Sequence, residues 1–461
     1  MPSPEPVGRV RAEASPAGAK SPFQWLLAKE VRELIASKSY WLLLLVIGAL
    51  VGHAFITSVN LYAEASGIGG GPSALSQGLS PLEGIVVPTL GAYDLAATLL
   101  FPFVVIRLFA IEKQTGELAL TLQAPARFST SVMAKTVALS AAWLVAGIAG
   151  VAALALWRGM GGHLDAGEVA TVATGHLLRG LLTIGIGAAA GALAASAASA
   201  AIIALTITLG TWALDYVAAA RGGAIASVAE YTPSAALRVF EHGEVRIATV
   251  LILGILGVVG LAVAAEWLQE GRPARRRVGG AIGAVAIGAV CCVAAGQLRA
   301  TWDASEDRRN SFPVADEAAL RQIRQPLHVT VYLAAEDPRL ADLERGVLAK
   351  LERTMPEVEV TYGATSRSGL FERANDHYGE VWYELGGKRE MSRSTTEPIV
   401  LETIYGLAGL QPPTPVAVQP YPGYPLAKRS AAAPWFFFLA WPLAVAAAWW
   451  WGNARPSRAP R

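Results

Sequence analysis

The stretch IATVLILGILGVVGLAVAAEW, Ile247–Trp267, decides the fold class of this chain. It contains a single charged residue, Glu266, which lies next to its end. A helix of this length covers about 30 Å, at roughly 1.5 Å per residue, which is the thickness of the hydrocarbon core of a bilayer. The stretch therefore predicts a membrane-spanning helix.

Further apolar stretches of similar length occur along the chain. They are Trp41–Val59, Tyr93–Ile111, Val137–Trp157, Leu177–Ala198, Ala201–Ala219, Gly279–Gln297 and Trp435–Trp451. The composition agrees, because 53% of the residues are hydrophobic and only 16% are charged. This balance excludes a water-soluble chain and predicts an α-helical integral membrane protein with eight spans.

The basic residues predict the orientation. Lys and Arg near span ends tend to stay in the cytoplasm. A cytoplasmic N-terminus places most of them there and leaves in the short outside loops only Arg158, Arg179, Arg221, Arg238 and Arg246. Both termini are then cytoplasmic, and the long polar segment between the seventh and eighth spans, residues 299–430, lies outside the cell membrane.

That outer segment alternates strand and helix patterns. The predicted strands are Leu327–Leu333, Val358–Tyr362, Gly379–Leu385 and Lys388–Arg393, and the predicted helices are Leu340–Thr354 and Glu397–Leu410. The pattern predicts a small extracytoplasmic α/β domain that is long enough to have its own core.

A short amphipathic helix is predicted just before the first span. Polar residues, Glu30 among them, occupy one face of Phe23–Ser37. The other face repeats apolar residues at three- and four-residue spacing: Phe23, Leu26, Leu27, Val31, Leu34 and Ile35. This periodicity is typical of a helix lying in the membrane plane. Taken alone, it is equally consistent with a generic surface anchor.

The loop between the second and third spans, residues 111–135, predicts a docking element. Thr115 can cap a short helix with Gly116 and Glu117 in its first turn. Pro125 would end that helix, and its apolar surface would come from Leu118, Leu120 and Leu122. A short helix held out from the membrane suits contact with a cytoplasmic partner.

These two features, in this order, resemble the elbow helix and the coupling-helix loop of type 2 ABC-transporter permeases. The resemblance covers residues 22–270, where YTPSAALRVFEHGEVR, Tyr231–Arg246, is similar to an outer segment of that family. It implies a six-span core in which ATPase-docking residues come from the coupling loop, Glu112, Thr115, Gly116, Glu117, Leu118, Leu122, Pro125 and Arg127. The elbow helix would contribute Trp25, Leu27, Glu30, Val31 and Leu34.

A second resemblance covers the start of the outer segment. TWDASEDRRNSFPVADEAALRQIRQPLHVTVYLA, Thr301–Ala334, resembles the start of the gliding-motility-associated auxiliary subunit family. The matching residues are Asp303, Glu306, Arg308, Arg309 and Ser311, whereas Phe312-Pro313 departs from the usual Leu-Ser. The resemblance implies that a permease and an auxiliary subunit are fused in one chain.

These patterns together predict the domain organisation. It consists of a disordered cytoplasmic tail (1–20), the six-helix permease domain (21–270), a seventh span (271–298), the outer α/β domain with its linker (299–430), and an eighth span with a basic cytoplasmic tail (431–461).

The chain has no nucleotide-binding motif. A phosphate-cradling loop needs Gly-x-x-x-x-Gly-Lys-Ser/Thr, and Gly386-Gly387-Lys388 is followed by Arg389. We therefore predict no enzyme activity, no cofactor and no metal in this chain. A separate cytoplasmic ATPase subunit would bind ATP and Mg²⁺. The other expected partners are a second permease chain, membrane lipid and an envelope partner of the outer domain, but not nucleic acid.

Ionisable residues in or beside the predicted spans provide a candidate polar site. They are His53, Asp94, His176, Asp215 and Glu266. Each lies near a predicted span end, where simple contact with water is the plainer interpretation. Asp94 and the pair Asp215 and Tyr216 are the candidates for an intramembrane site.

Two contacts between helices are also expected. The family resemblance places the seam between permease chains at Phe101, Phe103 and Trp212, and the alternative is that these aromatic residues face lipid. Gly187 and Gly191 favour close packing within the bundle.

Two functions are consistent with these features. The first is the membrane subunit of an ATP-driven exporter, located in the cell membrane. The second is a non-transporting complex in which ATP-driven movement acts on envelope or gliding components through the outer domain.

Overall fold

The computed structural model describes residues 21–67, 80–117, 128–221, 225, 229, 231–269, 271–334, 337–363, 377–413, 423–426 and 431–454. The predicted tail, 1–20, lies outside the described residues. So do four residues of the predicted coupling loop, Leu118, Leu122, Pro125 and Arg127.

Eight helices of the described chain are long and apolar enough to cross a membrane, which confirms the predicted number of spans. They are α2 (Lys38–Ala65), α3 (Leu82–Thr115), α4 (Phe128–Ala146) with α5 (Ile148–Gly159), α6 (Ala166–Leu193), α7 (Ala197–Arg221), α9 (Ile247–Trp267), α10 (Ala274–Gly296) and α14 (Ala432–Ala454). Two short helices accompany them, α1 (Pro22–Ala36) before the first span and α8 (Pro233–Glu241) before α9.

Several spans begin earlier than predicted, the second and the fourth by the largest margin. The second span was predicted from Tyr93 and begins at Leu82, and the fourth was predicted from Leu177 and begins at Ala166. The extra turns contain Glu83 and Glu168, whose charges lower the local hydropathy although the helices continue through them. As a consequence, Asp94 and His176 lie well inside their helices and not near span ends.

Small residues allow the closest helix contact in the bundle, between α6 and α9. A Cβ placed on Gly260 would lie 2.4 Å from the carbonyl oxygen of Gly185, a distance that real structures do not show. Gly187 faces Val105 and Gly191 faces Phe109, so both glycines pack within the chain, as expected.

A four-stranded sheet lies beyond the bundle, in the order β4-β3-β5-β6. Its strands are β3 (Leu327–Val331), β4 (Val358–Tyr362), β5 (Val381–Leu385) and β6 (Lys388–Ser392). β3 runs parallel to β4 and antiparallel to β5. The β5–β6 hairpin turns at Gly386 and Gly387, whose φ angles of 58° and 80° explain why glycine occupies both positions.

Helices cover this sheet and complete its hydrophobic core. Leu327, Val329 and Val331 of β3 are buried against them. The helices are α11 (Val314–Leu320), α12 (Pro338–Leu343, Glu344–Leu348 and Ala349–Thr354) and α13 (Glu397–Ala408). A ribbon of β1 (Glu244–Arg246) and β2 (Thr301–Asp303) joins this sheet unit to the bundle.

The two ends of the bundle are therefore different. The α1 end carries α1, the last turn of α3 and the start of α4, which contact one another through charged side chains. The sheet end carries the sheet unit beside the first turns of α3 and α6.

Candidate functional site

The candidate site is a cluster of charged side chains at the α1 end. Helix α1 begins with a capping box between Ser21 and Gln24, which satisfies backbone donors of its first turn. Its buried face is formed by Leu26, Glu30 and Leu34. The amphipathic pattern placed Glu30 on the polar face, but the side chain is completely buried. The four-residue spacing from Leu26 to Glu30 to Leu34 puts all three on one stripe.

Five charged residues form what we call the ionic cluster: Lys29, Glu30, Glu33, Glu112 and Lys135. The Nζ atom of Lys135 lies 2.8 Å from Oε1 of Glu30 and 2.7 Å from Oε1 of Glu112. Lys29 pairs with Glu112 as well and lies 2.7 Å from Glu33. The cluster thus links α1 to both helices that flank the loop of residues 111–135.

Burial controls the electrostatics of this cluster. Burial raises the pKa of Glu30 above its usual range, although the nearby Lys135 opposes the shift. Burial would lower the pKa of Lys29, but the hydrogen bonds to Glu112 and Glu33 outweigh it, so that pKa is raised. Charges taken out of water persist only when they are paired. The cluster therefore depends on all its members being present together.

The three carboxylates of the cluster resemble a cation site in their spacing. Ligand oxygens of Glu30, Glu33 and Glu112 lie within 4.8 Å of one another. The ammonium groups of Lys29 and Lys135 already supply positive charge at that position. The residues present therefore fit an ion-pair network better than a metal centre.

The start of the predicted coupling loop differs from expectation. Thr115 does not cap a new helix, because it is the last helical residue of α3 and its hydroxyl donates to the carbonyl of Glu112. Gly116 has a φ of 77°, so it ends α3 in the left-handed conformation and does not belong to a first helical turn. Glu117 follows and is exposed.

The predicted elbow residues divide between two faces of α1. Leu34 is buried and Leu27 is half-buried against the hydrophobic core of the bundle. Trp25 and Val31 are exposed, with 58% and 37% of their surface accessible. These two side chains remain available for contact with lipid or with another protein.

The predicted intramembrane site is only partly assembled. Asp94 of α3 lies 3.4 Å from Nε of Arg179, beside His176 of α6. Asp215 is elsewhere and accepts a hydrogen bond from Thr232, while Tyr216 is 78% exposed. The structure therefore does not bring Asp94, Asp215 and Tyr216 together.

Sequence reasoning missed two basic residues inside the bundle. Arg179 was assigned to an outer loop, but it lies in the middle of α6 and is buried. Lys135 was treated only as an orientation signal, yet it joins the ionic cluster. A usable signal existed in both cases, since a charge within an otherwise apolar helix is costly and calls for a partner.

Two of the residues matched in the second resemblance, Glu306 and Arg309, hold the sheet unit against the bundle. Arg309 contacts Oε1 of the buried Glu168 through Nη2 at 2.9 Å and donates to Ser80 through Nη1. Glu306 lies 2.9 Å from Nε2 of His163. Asp303 accepts from the hydroxyls of two serines and from the amide of an asparagine: Ser305, Ser311 and Asn310.

Phe101 does not lie where the expected seam between permease chains requires it. Its ring is completely buried and packs edge-on against Trp143 at 5.0 Å between ring centres. Phe103, two residues further along α3, is 42% exposed. A surface seam could therefore use Phe103 but not Phe101.

Comparison with protein families, with characterised proteins and with solved structures finds no match to this chain.

Proposed function

We propose that this chain is the membrane subunit of an ATP-driven transporter, an exporter located in the cell membrane. A separate ATPase subunit would dock on the α1 end, on the cytoplasmic side. The ionic cluster carries this proposal. It joins α1 to both helices that flank the loop of residues 111–135. A displacement of the loop would therefore be transmitted to α1, α3 and α4 together.

The geometry suits the transmission of force. Lys135 contacts Glu30 and Glu112 simultaneously, so α1, the end of α3 and the start of α4 are held as one unit. Separating any two of these elements would leave buried charges without partners, which costs several kcal/mol. A partner that moves the loop would therefore move the spans with it rather than bend the loop alone.

The remaining parts of the proposal follow from charge and sequence. The excess of basic residues at the α1 end supports a cytoplasmic location for it, which places the sheet unit outside as an extracytoplasmic α/β domain. A type 2 permease core of six spans supplies half of a transporter, so we propose a second permease chain. Helix α7 is a candidate for that contact, because most of its apolar surface is not buried within the described part of the chain.

A second function is supported by the way the sheet unit is attached. Arg309 and Glu306 hold it to the first turns of α3 and α6, and the β1–β2 ribbon joins it to the start of α9. Movement of these helices would be passed directly to the sheet unit. The alternative function is a complex that acts on envelope components without transporting a substrate. Such a complex would use this connection.

The proposal is tested by purifying the tagged chain from its native membranes in a mild detergent and identifying bound proteins by mass spectrometry. We expect a protein with a Gly-x-x-x-x-Gly-Lys-Ser/Thr motif, and ATP hydrolysis in the purified complex. Glu117→Lys, on the exposed start of the loop, should abolish its recovery while membrane insertion is retained.

Glu390→Lys is a matched control, since it makes the same charge change on an exposed residue of β6. Recovery of the ATPase with Glu117→Lys but not with Glu390→Lys would place the docking surface at the sheet end and contradict the proposal. A complex that contains no ATPase in any preparation would contradict it as well.

A further inference from the structure

A cavity of about 480 Å³ lies at the seam between the bundle and the sheet unit. This size is within the range of small-molecule sites, roughly 300–1,000 Å³. Its walls come from α8, α9, the end of α10, α12 and the start of β4. The proposed transport does not use this space, although Arg246 and Arg353, which help to attach the sheet unit, line part of it.

One half of the cavity is apolar and is formed by α8, by the start of the spanning helix α9 and by Leu298, just beyond the end of α10. It is lined by Ala236, Val239, Ala248, Ile252, Leu253 and Leu298. Helix α9 is about as long as the hydrocarbon core is thick, so its first two turns lie just inside the edge of the bilayer. Ile247 and Leu251, next to the lining residues of α9, are 42% and 40% exposed. This face of α9 therefore borders lipid.

The other half is polar and lies under the sheet unit. It presents the arginines Arg246, Arg299 and Arg353 together with Glu352 and Glu357. Glu244 pairs with Arg246 at 2.9 Å and with Arg353 at 2.7 Å, so part of that charge is balanced. Arg299 is exposed and has a backbone partner, the carbonyl of Pro356. Among the described residues its guanidinium pairs with no carboxylate, although Glu352 and Glu357 line the same half of the cavity.

We propose that this cavity binds one membrane phospholipid with an anionic head group. The acyl part would lie against Ile252 and Leu253, and the phosphate would lie against Arg299. The combination of an apolar half at bilayer depth and arginines at head-group level fits an amphiphile. A free anion would contact the arginines but would leave the apolar half unoccupied. Guanidinium groups are well suited to phosphate oxygens. The bound lipid would fill the seam between the two units.

The test uses the full chain in detergent, without nucleotide, so it is independent of the ATP-driven function. The protein is incubated with equimolar phosphatidylglycerol and phosphatidylcholine, and retained lipids are counted by native mass spectrometry. We expect one phosphatidylglycerol to persist under activation that removes phosphatidylcholine. Arg299→Gln should reduce its retention several-fold. Arg275→Gln, an exposed arginine at the other end of α10, should leave retention unchanged.

A second variant tests the apolar half. Ala248→Phe fills the cavity from α9 and should remove the retained lipid, with the elution volume of the protein unchanged. If Ala248→Phe does not fold, the comparison of Arg299→Gln with Arg275→Gln decides alone. Equal retention of both lipids, or equal loss in both arginine variants, would overturn the proposal and indicate ordinary surrounding lipid. Displacement of phosphatidylglycerol by inorganic phosphate would overturn it in favour of a free-anion site.

Discussion

The Nζ atom of Lys135 lies 2.7 Å from Oε1 of Glu112, and both side chains are about 3% exposed. The two residues are far apart along the chain, at the start of α4 and near the end of α3. Their contact is a buried ion pair that joins the two ends of the loop between them. Removing either residue would leave the other buried with one partner instead of two, Lys29 for Glu112 and Glu30 for Lys135, so the charges of the cluster would no longer be balanced as they are now.

Lys135→Met is therefore expected to destabilise the protein by about 3–5 kcal/mol. The variant keeps most of the length of the side chain but removes the ammonium group, and it leaves the carboxylates of Glu112 and Glu30 with Lys29 as the remaining cation of the cluster. Thermal unfolding followed by size-exclusion chromatography measures the loss. Lys38→Met, an exposed lysine at the start of α2, is the control and should change little. The double variant Glu112→Gln with Lys135→Met should cost less than the sum of the single changes, because the pair is coupled.

A second expectation concerns the contact of α6 with α9. Gly260→Ala would place a Cβ 2.4 Å from the backbone oxygen of Gly185, and backbone atoms cannot give way as a flexible side chain does. We expect a loss of about 1–3 kcal/mol, as for overpacked cores. Gly254→Ala, on the same helix, meets nothing within 4 Å and should be neutral or slightly stabilising. Equal thermal midpoints for the two variants would show that the helices do not meet as described.

A third expectation concerns pH. Burial raises the pKa of Glu241, at the end of α8, to about 7; Asp94 adds to the shift and Arg238 opposes it. The folded chain thus holds this proton more tightly than the unfolded chain, whose carboxyl has its ordinary pKa of 4.5. The contribution of Glu241 to stability should be greatest at low pH and should fall as the pH rises from about 4.5 through 7. Glu241→Gln cannot ionise, so thermal midpoints measured between pH 5 and 8 should vary less in this variant than in the wild type.

The spans were predictable because each apolar stretch carries its own signal. The strands were predictable for a similar reason, since Leu327, Val329 and Val331 alternate with polar residues along β3. The ionic cluster was not predictable in this way. Glu30 pairs with Lys135, which lies more than a hundred residues away along the chain. The local sequence around either residue therefore does not indicate its partner. The sequence therefore predicts surface positions for these two charged residues, because a charge with no partner nearby in the sequence is normally exposed to water.

The last expectation concerns orientation, which the charge distribution predicts and the contacts leave open. Lys388→Cys, exposed in the β5–β6 hairpin, and Ser129→Cys, exposed at the start of α4, report the two ends of the bundle. Both are made in a chain with Cys291 and Cys292 replaced by alanine. In intact cells, or in spheroplasts if an outer membrane excludes the reagent, an impermeant thiol reagent should label position 388 and not position 129. After the membrane is permeabilised both positions should react, which controls for accessibility. Labelling of position 129 alone in intact cells would reverse the orientation. It would also place the ionic cluster outside, where a cytoplasmic ATPase could not reach it.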